Sequence, residues 1–288
     1  ISEYGVAMMG GSYMPGFTEL LRRNGNYRNL WLAQVVSEAG DYFNNVAVFS
    51  LAMQLTGSGL VVSGVMLARA IPAVFAGPVA GVLLDRFDRK RIMIASDLVR
   101  SLVALAFTLT LYYREAWLLY LLSALLMFAS PFFTSGRSAV LPTIAGREEI
   151  HTANSLTQTT QWATLTAGTI LGGLSSARLG YELAFGVNAL SFVLSAAAVS
   201  RLRLPADALR AGAGGGGLLR PWREYSEGLV YMRSVPLVLG IGWITFGWAM
   251  GGGAAQILFA LFGEQVFARG AEGIGTIWGF AGVGLLIG

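Results

Sequence analysis

The sequence predicts an all-α, polytopic membrane protein. Three observations lead there: long uninterrupted apolar runs, basic residues gathered in alternate short connections, and a composition too apolar for a water-soluble chain of this size. The 288 residues are 55% hydrophobic and only 12% charged, a balance that points to lipid as the solvent. Lipid offers no hydrogen bonds to exposed backbone, so apolar runs must form helices or strands of a closed barrel. The segments LLYLLSALLMFA and AFGVNALSFVLSAAAV are apolar all round, where barrel strands would alternate.

Taken in order, runs of about 20 residues, the length a helix needs to cross roughly 30 Å of hydrocarbon, fall at 29–55, 60–84, 92–113, 116–140, 154–176, 181–200 and 236–262. An eighth begins near residue 273, and Gly288 lies inside it, so the chain is expected to be part of a longer one. The plan that follows has a cytoplasmic segment at 1–28 and a six-helix transmembrane bundle at 29–203. A cytoplasmic linker with an amphipathic helix occupies 204–234, and the first two helices of a second bundle, the second of them incomplete, occupy 235–288. No basic-then-apolar leader with a small-residue cleavage site opens the sequence, so no signal peptide is expected.

Orientation follows from basic residues in the connections. One set of segments holds Arg22, Arg23, Arg28, Arg86, Arg89, Lys90, Arg91, Arg137, Arg147, Arg201, Arg203, Arg210, Arg220, Arg223 and Arg233. The alternate set holds Arg114, Arg178 and Arg269. Fifteen against three places the N-terminus in the cytoplasm, and the protein in the cell membrane. The linker RLRLPADALRAGAGGGGLLRPW combines arginines, prolines and a glycine run, a composition suited to a flexible tether. After it, WREYSEGLVYMRS sets Trp222, Tyr225, Leu229 and Met232 three and four residues apart, which predicts an amphipathic interfacial helix.

Several function classes drop out. Cysteine is absent and His151 is the only histidine, which removes disulfides, thiolate nucleophiles and cysteine-based metal sites. His151 lies in the polar stretch REEIHTAN with no obvious serine partner in a span, and the close aspartate pair Asp85 and Asp88 is interleaved with basic residues, which leaves an intramembrane enzyme as the remote alternative. The glycines at 214–217 run into Leu218 and Leu219 with no lysine, so no phosphate loop is present and no cofactor is expected. The net charge of +4 follows topology instead of forming a soluble basic face, so nucleic acid is not an expected partner.

Between the second and third runs lies GVLLDRFDRKR, with Gly81, Asp85, Arg86, Asp88, Arg89, Lys90 and Arg91. Gly81 and Gly77 make a small-xxx-small pair suited to close helix approach. Asp85 ends the second run, where its carboxylate can meet basic groups. The segment resembles the G-x-x-x-D-R-x-x-R-[KR] signature of the major facilitator superfamily, at the loop where that superfamily carries it. NYRNLWLAQVVSEAGDYFNNVAV, LARAIPAVFAGPVAGVLLDR, SPFFTSGRSAVLPTIAGREEIHTANSL and AFGVNALSFVLSA resemble its branch of macrolide and siderophore exporters. The resemblance covers residues 20–288 and implies the major facilitator fold, two six-helix bundles rocking about a midplane site. It also implies that Asp85, Arg86 and Arg89 latch the two bundles together at the cytoplasmic mouth. For Lys90 and Arg91 the simpler reading is topological anchoring.

Ionisable residues deep in a span are costly and are the default functional candidates. Asp41 lies roughly 18 Å and Arg69 roughly 22 Å from the cytoplasmic face at 1.5 Å per residue, so the two are expected to face a central cavity and form a pair, or nearly one, with Glu38 a turn nearer the cytoplasm on a neighbouring face. Asp41 is then either a proton-exchanging carboxylate or half of a permanently ionised structural pair. Asp97 and Arg100, three apart in the third run, are expected to pair along their helix. They would join the cytoplasmic charge network near the motif loop, together with Arg137. Tyr42, Phe43, Asn44, Asn45, Gln158, Gln161 and Trp162 are candidate cavity linings. Gly168, Gly172 and Gly173 resemble the glycine-rich motif of antiporter members, although Thr169 stands where related exporters often have proline; close helix packing is the alternative.

The reading as a whole is a secondary active transporter, not an enzyme. It would drive proton-coupled efflux of a hydrophobic or amphipathic small molecule, an antiporter of the multidrug-resistance kind. Its expected partners are that substrate, protons and membrane lipid, and its expected state is a monomer. A nutrient or metabolite importer of the same fold is the alternative.

Overall fold

A computed structural model describes residues 16–146, 148–204 and 220–287. The first fifteen residues, Arg147, and the linker stretch 205–219 with Arg210 and its glycine run lie outside the described residues. Among the described residues the structure is helical throughout. Its helices are α1 (Phe17–Arg23), α2 (Gly25–Thr56), α3 (Gly59–Arg86), α4 (Arg89–Ala106), α5 (Leu109–Tyr113), α6 (Ala116–Ile144), α7 (Ile150–Leu179), α8 (Tyr181–Ser200), α9 (Arg220–Ser234), α10 (Pro236–Leu261) and α11 (Gly270–Ile287). A π-helical turn at Phe262–Val266 extends α10.

Local chemistry sets the ends. The Asn24 side chain accepts from the Tyr27 N–H at 2.9 Å, Ser58 from Leu60 at 3.2 Å and Asp88 from Arg91 at 3.1 Å. Each satisfies an orphan donor at a helix start. Gly57, at φ 66°, ends α2 in the left-handed conformation that suits glycine. The third apolar run tightens between α4 and α5: Phe107 and Thr108 keep right-handed helical angles, and their N–H groups bond to the Ala104 and Leu105 carbonyls three residues back. The first 28 residues, expected as a plain cytoplasmic segment, already hold α1 and the first turn of α2. The amphipathic segment is helical, as α9; the side chains of Trp222 and Tyr225 lie outside what is described.

Among the described residues, five segments are long and apolar enough to cross a membrane by length and composition: Gly59–Arg86, Arg89–Tyr113, Ala116–Ile144, Tyr181–Ser200 and Pro236–Val266. Seven complete spans were expected, and the difference lies in α2 and α7. Both have the length, at 32 and 30 residues, but both are rich in polar side chains. The reason is their place in the bundle. α2 packs against both α7 and α8 and buries Gln34, Ser37 and Asn44, while α7 packs against α2 and α11 and buries Thr160, Thr164 and Thr169.

The remaining contacts run α8 on α4, α4 on α6 and α6 on α3, so these helices wrap around from one side of α2 to the other. Lipid is as apolar as leucine, so close packing more than hydrophobic burial must hold such helices together. Glycine supplies it where helices touch. A Cβ on Gly40 would meet the Ser191 and Asn188 side chains of α8, and one on Gly136 would lie 2.6 Å from Met93. The α2–α7 seam is close as well: Gly168 faces Tyr42 and Gly172 faces the Phe43 backbone, where a Cβ would come within 2.9 and 2.8 Å respectively. The pair Gly77 and Gly81 behaves otherwise. It was expected at a close approach, yet a Cβ at either meets nothing within 4 Å, because α3 packs on α6 with a different face that buries Val62, Val65, Ala76 and Ala80.

Two apolar clusters result. Leu20, Tyr27, Leu30, Met93, Leu141 and Val199 gather at the end carrying the basic loops, called here the basic end. Val46, Phe49, Met53, Phe107, Leu119 and Phe185 gather at the far end. Between them α2 runs from Gln34 to Asn45 through a layer of polar and charged side chains.

Candidate functional site

The polar layer is organised on α2. Glu38, Asp41 and Asn45 are spaced three and four residues apart and so share one helix face. Each meets an arginine from a different helix. Arg137 of α6 reaches Glu38 at 3.3 Å, with the two side chains 14% and 19% exposed. Arg100 of α4 lies 3.9 Å from Asp41. Arg69 of α3 donates to the Asn45 side chain at 2.7 Å. The three contacts climb α2 like rungs, one turn per step.

The middle rung is the most heavily built. Arg100 is 2% exposed and Asp97 fully buried. Arg100 donates to Asp97 one turn back on the same helix, and the second Asp97 oxygen accepts from Ser195 of α8 at 2.6 Å. The guanidinium lies between the faces of Phe133 and Phe192, 4.8 and 4.3 Å from the ring centroids, contacts that favour a desolvated cation. Its Nε has no hydrogen-bond partner among the described residues. Asp41 differs from this locked pair: its side chain keeps 32% exposure, so it touches the buried cation yet stays accessible. On the first rung Thr164 of α7 also donates to Glu38, at 3.2 Å. On the third, Arg69 lies 5.9 Å from the Phe49 ring centroid.

Three placements refine the sequence reading. Arg69 donates its hydrogen bond to Asn45, a four-residue step of about 6 Å outward along α2, while its charge stays within electrostatic reach of Asp41. Asp97 and Arg100 pair with each other as expected, but in the buried layer with Asp41, not in the loop network, because their face of α4 turns toward α2 and α8. Arg137 goes to Glu38 instead of joining them. Ser195 and Thr164 were not anticipated, since a lone hydroxyl in a span carries no signal of its partner.

The motif loop is a separate structure. Arg89 donates to the Leu84 carbonyl at 3.4 Å and to the Ala139 carbonyl at 3.2 Å, tying the end of α3 to α6. Lys90 donates to the Leu202 carbonyl at 2.9 Å, a tie that topological anchoring did not foresee. Asp88 caps α4 and lies 3.5 Å from Arg91. Asp85 and Arg86 are exposed at the end of α3.

At the far end a second set of polar contacts joins α10 and α11 to the rest. Ser50 of α2 donates to Glu264, on the π turn, at 3.2 Å and shares a hydrogen bond with the Tyr181 hydroxyl at 2.9 Å. Gln265 donates to the Gly57 carbonyl at 2.7 Å. α11 lies along α7 through glycines: a Cβ on Gly173 would come within 2.6 Å of the Ala271 carbonyl and 3.0 Å of Gly275. Trp278 is buried between Phe49 and Phe259. Glu264 had a legible signal, an acid inside the apolar stretch FALFGEQVF. Toward the basic end α10 stands clear, with Leu237, Trp243 and Trp248 exposed.

Membrane-crossing helices around a buried layer of arginines and acids define a polytopic membrane protein of the transporter class. The family model described as transmembrane secretion effector matches residues 19–284, and the chain belongs to that family of the major facilitator superfamily. It is 32% identical over 227 residues to the uncharacterized MFS-type transporter YfiS of Bacillus subtilis (strain 168), covering 76% of this chain and 52% of that protein. It is 29% identical over 215 residues to BacE of the same strain, provisionally named a bacilysin exporter, covering 74% and 52%. Macrolide efflux protein A of Streptococcus pyogenes is 25% identical over 181 residues, covering 62% and 45%. The chain thus spans about half the length of the curated relatives it matches. The family is one of transporters and not of enzymes.

Proposed function

We propose that the protein is a secondary exporter of hydrophobic or amphipathic small molecules, working by alternating access and coupled to protons through Asp41. On this reading residues 29–203 are one transmembrane bundle, 204–234 a cytoplasmic linker and 235–288 the start of a second bundle. The basic end faces the cytoplasm under the positive-inside rule, and the protein acts as a monomer in the cell membrane. The observation that carries the proposal is the middle rung: a partly exposed carboxylate beside a buried arginine whose charge is already answered by a second, fully buried carboxylate. Asp41 is therefore the member of the trio that can gain and lose a proton, or exchange its arginine for a cationic or polar substrate, without stranding a buried charge.

The two ends of the molecule support alternating access. The far end is closed by Glu264, Gln265 and the glycine seam, while α10 stands away from its neighbours toward the basic end. The names of two relatives, a macrolide efflux protein and a provisional bacilysin exporter, support export as the direction. Asp85, Arg86 and Arg89 act as the cytoplasmic latch, with Arg89 bracing the loop on α6.

The test is pH-driven dye efflux in everted vesicles. Asp41→Asn is expected to abolish pH-driven transport while leaving counterflow of the same dye in place. Full pH-driven transport by the variant sinks the coupling role. Accumulation of the dye inside intact cells only when the protein is present would point to import and overturn the exporter reading.

A further inference from the structure

At the basic end, away from the charge ladder, an open basin of about 850 Å³ lies where the starts of α2 and α4 meet the end of α8. Its walls hold Arg28, Lys90, Arg201 and Arg203, with Asn26 and Ser200 between them. Arg23 and Glu149 complete the charged lining, and each is engaged: Arg23 with Glu19 at 2.9 Å and Glu149 with the Asn24 amide at 2.8 Å. Arg28, Arg201 and Arg203 have no anionic partner among the described residues.

The basin is built, not a chance gathering of surface arginines. Asn26 straps the floor by donating to the Arg203 carbonyl at 2.7 Å and accepting from the Arg203 N–H at 2.9 Å. Lys90 fixes the neighbouring Leu202 carbonyl at 2.9 Å. The chain leaving α8 is thus pinned between α2 and α4, and the pinning sets Arg201 and Arg203 opposite Arg28. Leu202 itself is buried in the apolar cluster below, and Leu32, one turn along α2 from Arg28, is 41% exposed. Three guanidinium groups without an anionic partner among the described residues, bordered by apolar surface at the mouth of a membrane bundle, match an anion with an apolar tail.

We propose that this basin binds a phosphodiester anion, supplied by the headgroup of an anionic phospholipid. The guanidinium groups of Arg28, Arg201 and Arg203 hold the phosphate oxygens, Ser200 and the Asn24–Asn26 turn line its margin, and the acyl chains descend along α2 past Leu32. Bound there, the lipid would tie α2, α4 and α8 together where the linker departs.

The test is native mass spectrometry of the detergent-purified chain after titration with phosphatidylglycerol or phosphatidylcholine. Retention of phosphatidylglycerol over phosphatidylcholine is expected, with affinity falling at least about ten-fold when the three arginines become glutamine (R28Q/R201Q/R203Q), on the usual worth of basic groups near an anionic headgroup. The charge-preserving set R28K/R201K/R203K is expected to keep most of the binding, which guards against a folding defect in the first set. Removing three arginines elsewhere, R22Q/R91Q/R233Q, is expected to change little. Equal phosphatidylglycerol retention by the R28Q/R201Q/R203Q set and the unaltered chain, or equal retention of the two lipids, overturns the site. Displacement of the lipid by millimolar inorganic phosphate at constant ionic strength overturns the assignment to a lipid headgroup.

Discussion

The α2–α7 side of the molecule and the α3–α4 edge are made of the same parts: a glycine pair four residues apart, an aspartate and several arginines. On α7, Gly168 and Gly172 sit against α2, and beside them Asp41 and Glu38 meet arginines from α4 and α6. On α3, Gly77 and Gly81 face open space, and Asp85 is exposed at the helix end. Identical residue types thus serve packing and buried charge in one place and an exposed edge in the other. Residue type and spacing did not separate the two; the neighbouring helix did.

The contrast sets an order of expected effects. The largest belongs to Arg100. Arg100→Gln leaves Asp97 buried with only Ser195 and Asp41 without its cation, which should cost about 3–5 kcal/mol. Thermal unfolding in detergent would register it as a large fall in midpoint, and the double variant Asp97→Asn/Arg100→Gln should recover part of the loss. A single variant as stable as the parent would mean that the middle rung does not hold the bundle. Next comes Gly172→Val, which forces β-branched carbon against the Phe43 backbone. Overpacking of this kind costs about 1–3 kcal/mol, and the same assay should resolve it.

Smaller effects are expected on the other side of the comparison. Arg89→Gln removes two hydrogen bonds to the Leu84 and Ala139 carbonyls. Net hydrogen-bond contributions put that at about 1–2 kcal/mol, seen as a modest drop in melting midpoint. Smallest of all should be Gly81→Ala, a methyl group added where nothing lies within 4 Å, with stability unchanged within about 0.5 kcal/mol. If Gly81→Ala nevertheless impairs transport in vesicles while melting normally, its face of α3 is used by another part of the transporter. If it destabilises as much as Gly172→Val, the comparison fails.

Much of the fold was legible in the sequence. The apolar runs fell on the observed helices, whereas the caps Asn24, Ser58 and Asp88 emerged only with the structure. The charges of the candidate site were legible too, since Glu38, Asp41, Arg69, Asp97, Arg100 and Arg137 stand out against apolar surroundings. Of their pairings, Asp97 with Arg100 was legible from its three-residue spacing; the partners of Glu38 and Arg137 were not. Depth along a span places a residue on one axis only: it set Arg69 about 4 Å beyond Asp41 but left its hydrogen-bond partner Asn45 unread. The second partner of Asp97 shows the same gap, because nothing in the eighth helix distinguishes Ser195 from its neighbouring serines until α4 lies against it.

By itself, then, the sequence determined that this protein lives in lipid, roughly where its long helices run, and which side chains carry charge inside them. Those properties depend on local composition and periodicity, and lipid enforces them segment by segment. Only the tertiary structure decided which arginine answers Glu38 and which Asp41, which glycine pair is packed and which is open, and which end of the molecule is closed. These depend on the rotation of each helix about its axis and on its neighbours, and a helix apolar on nearly every face leaves both unspecified until it packs.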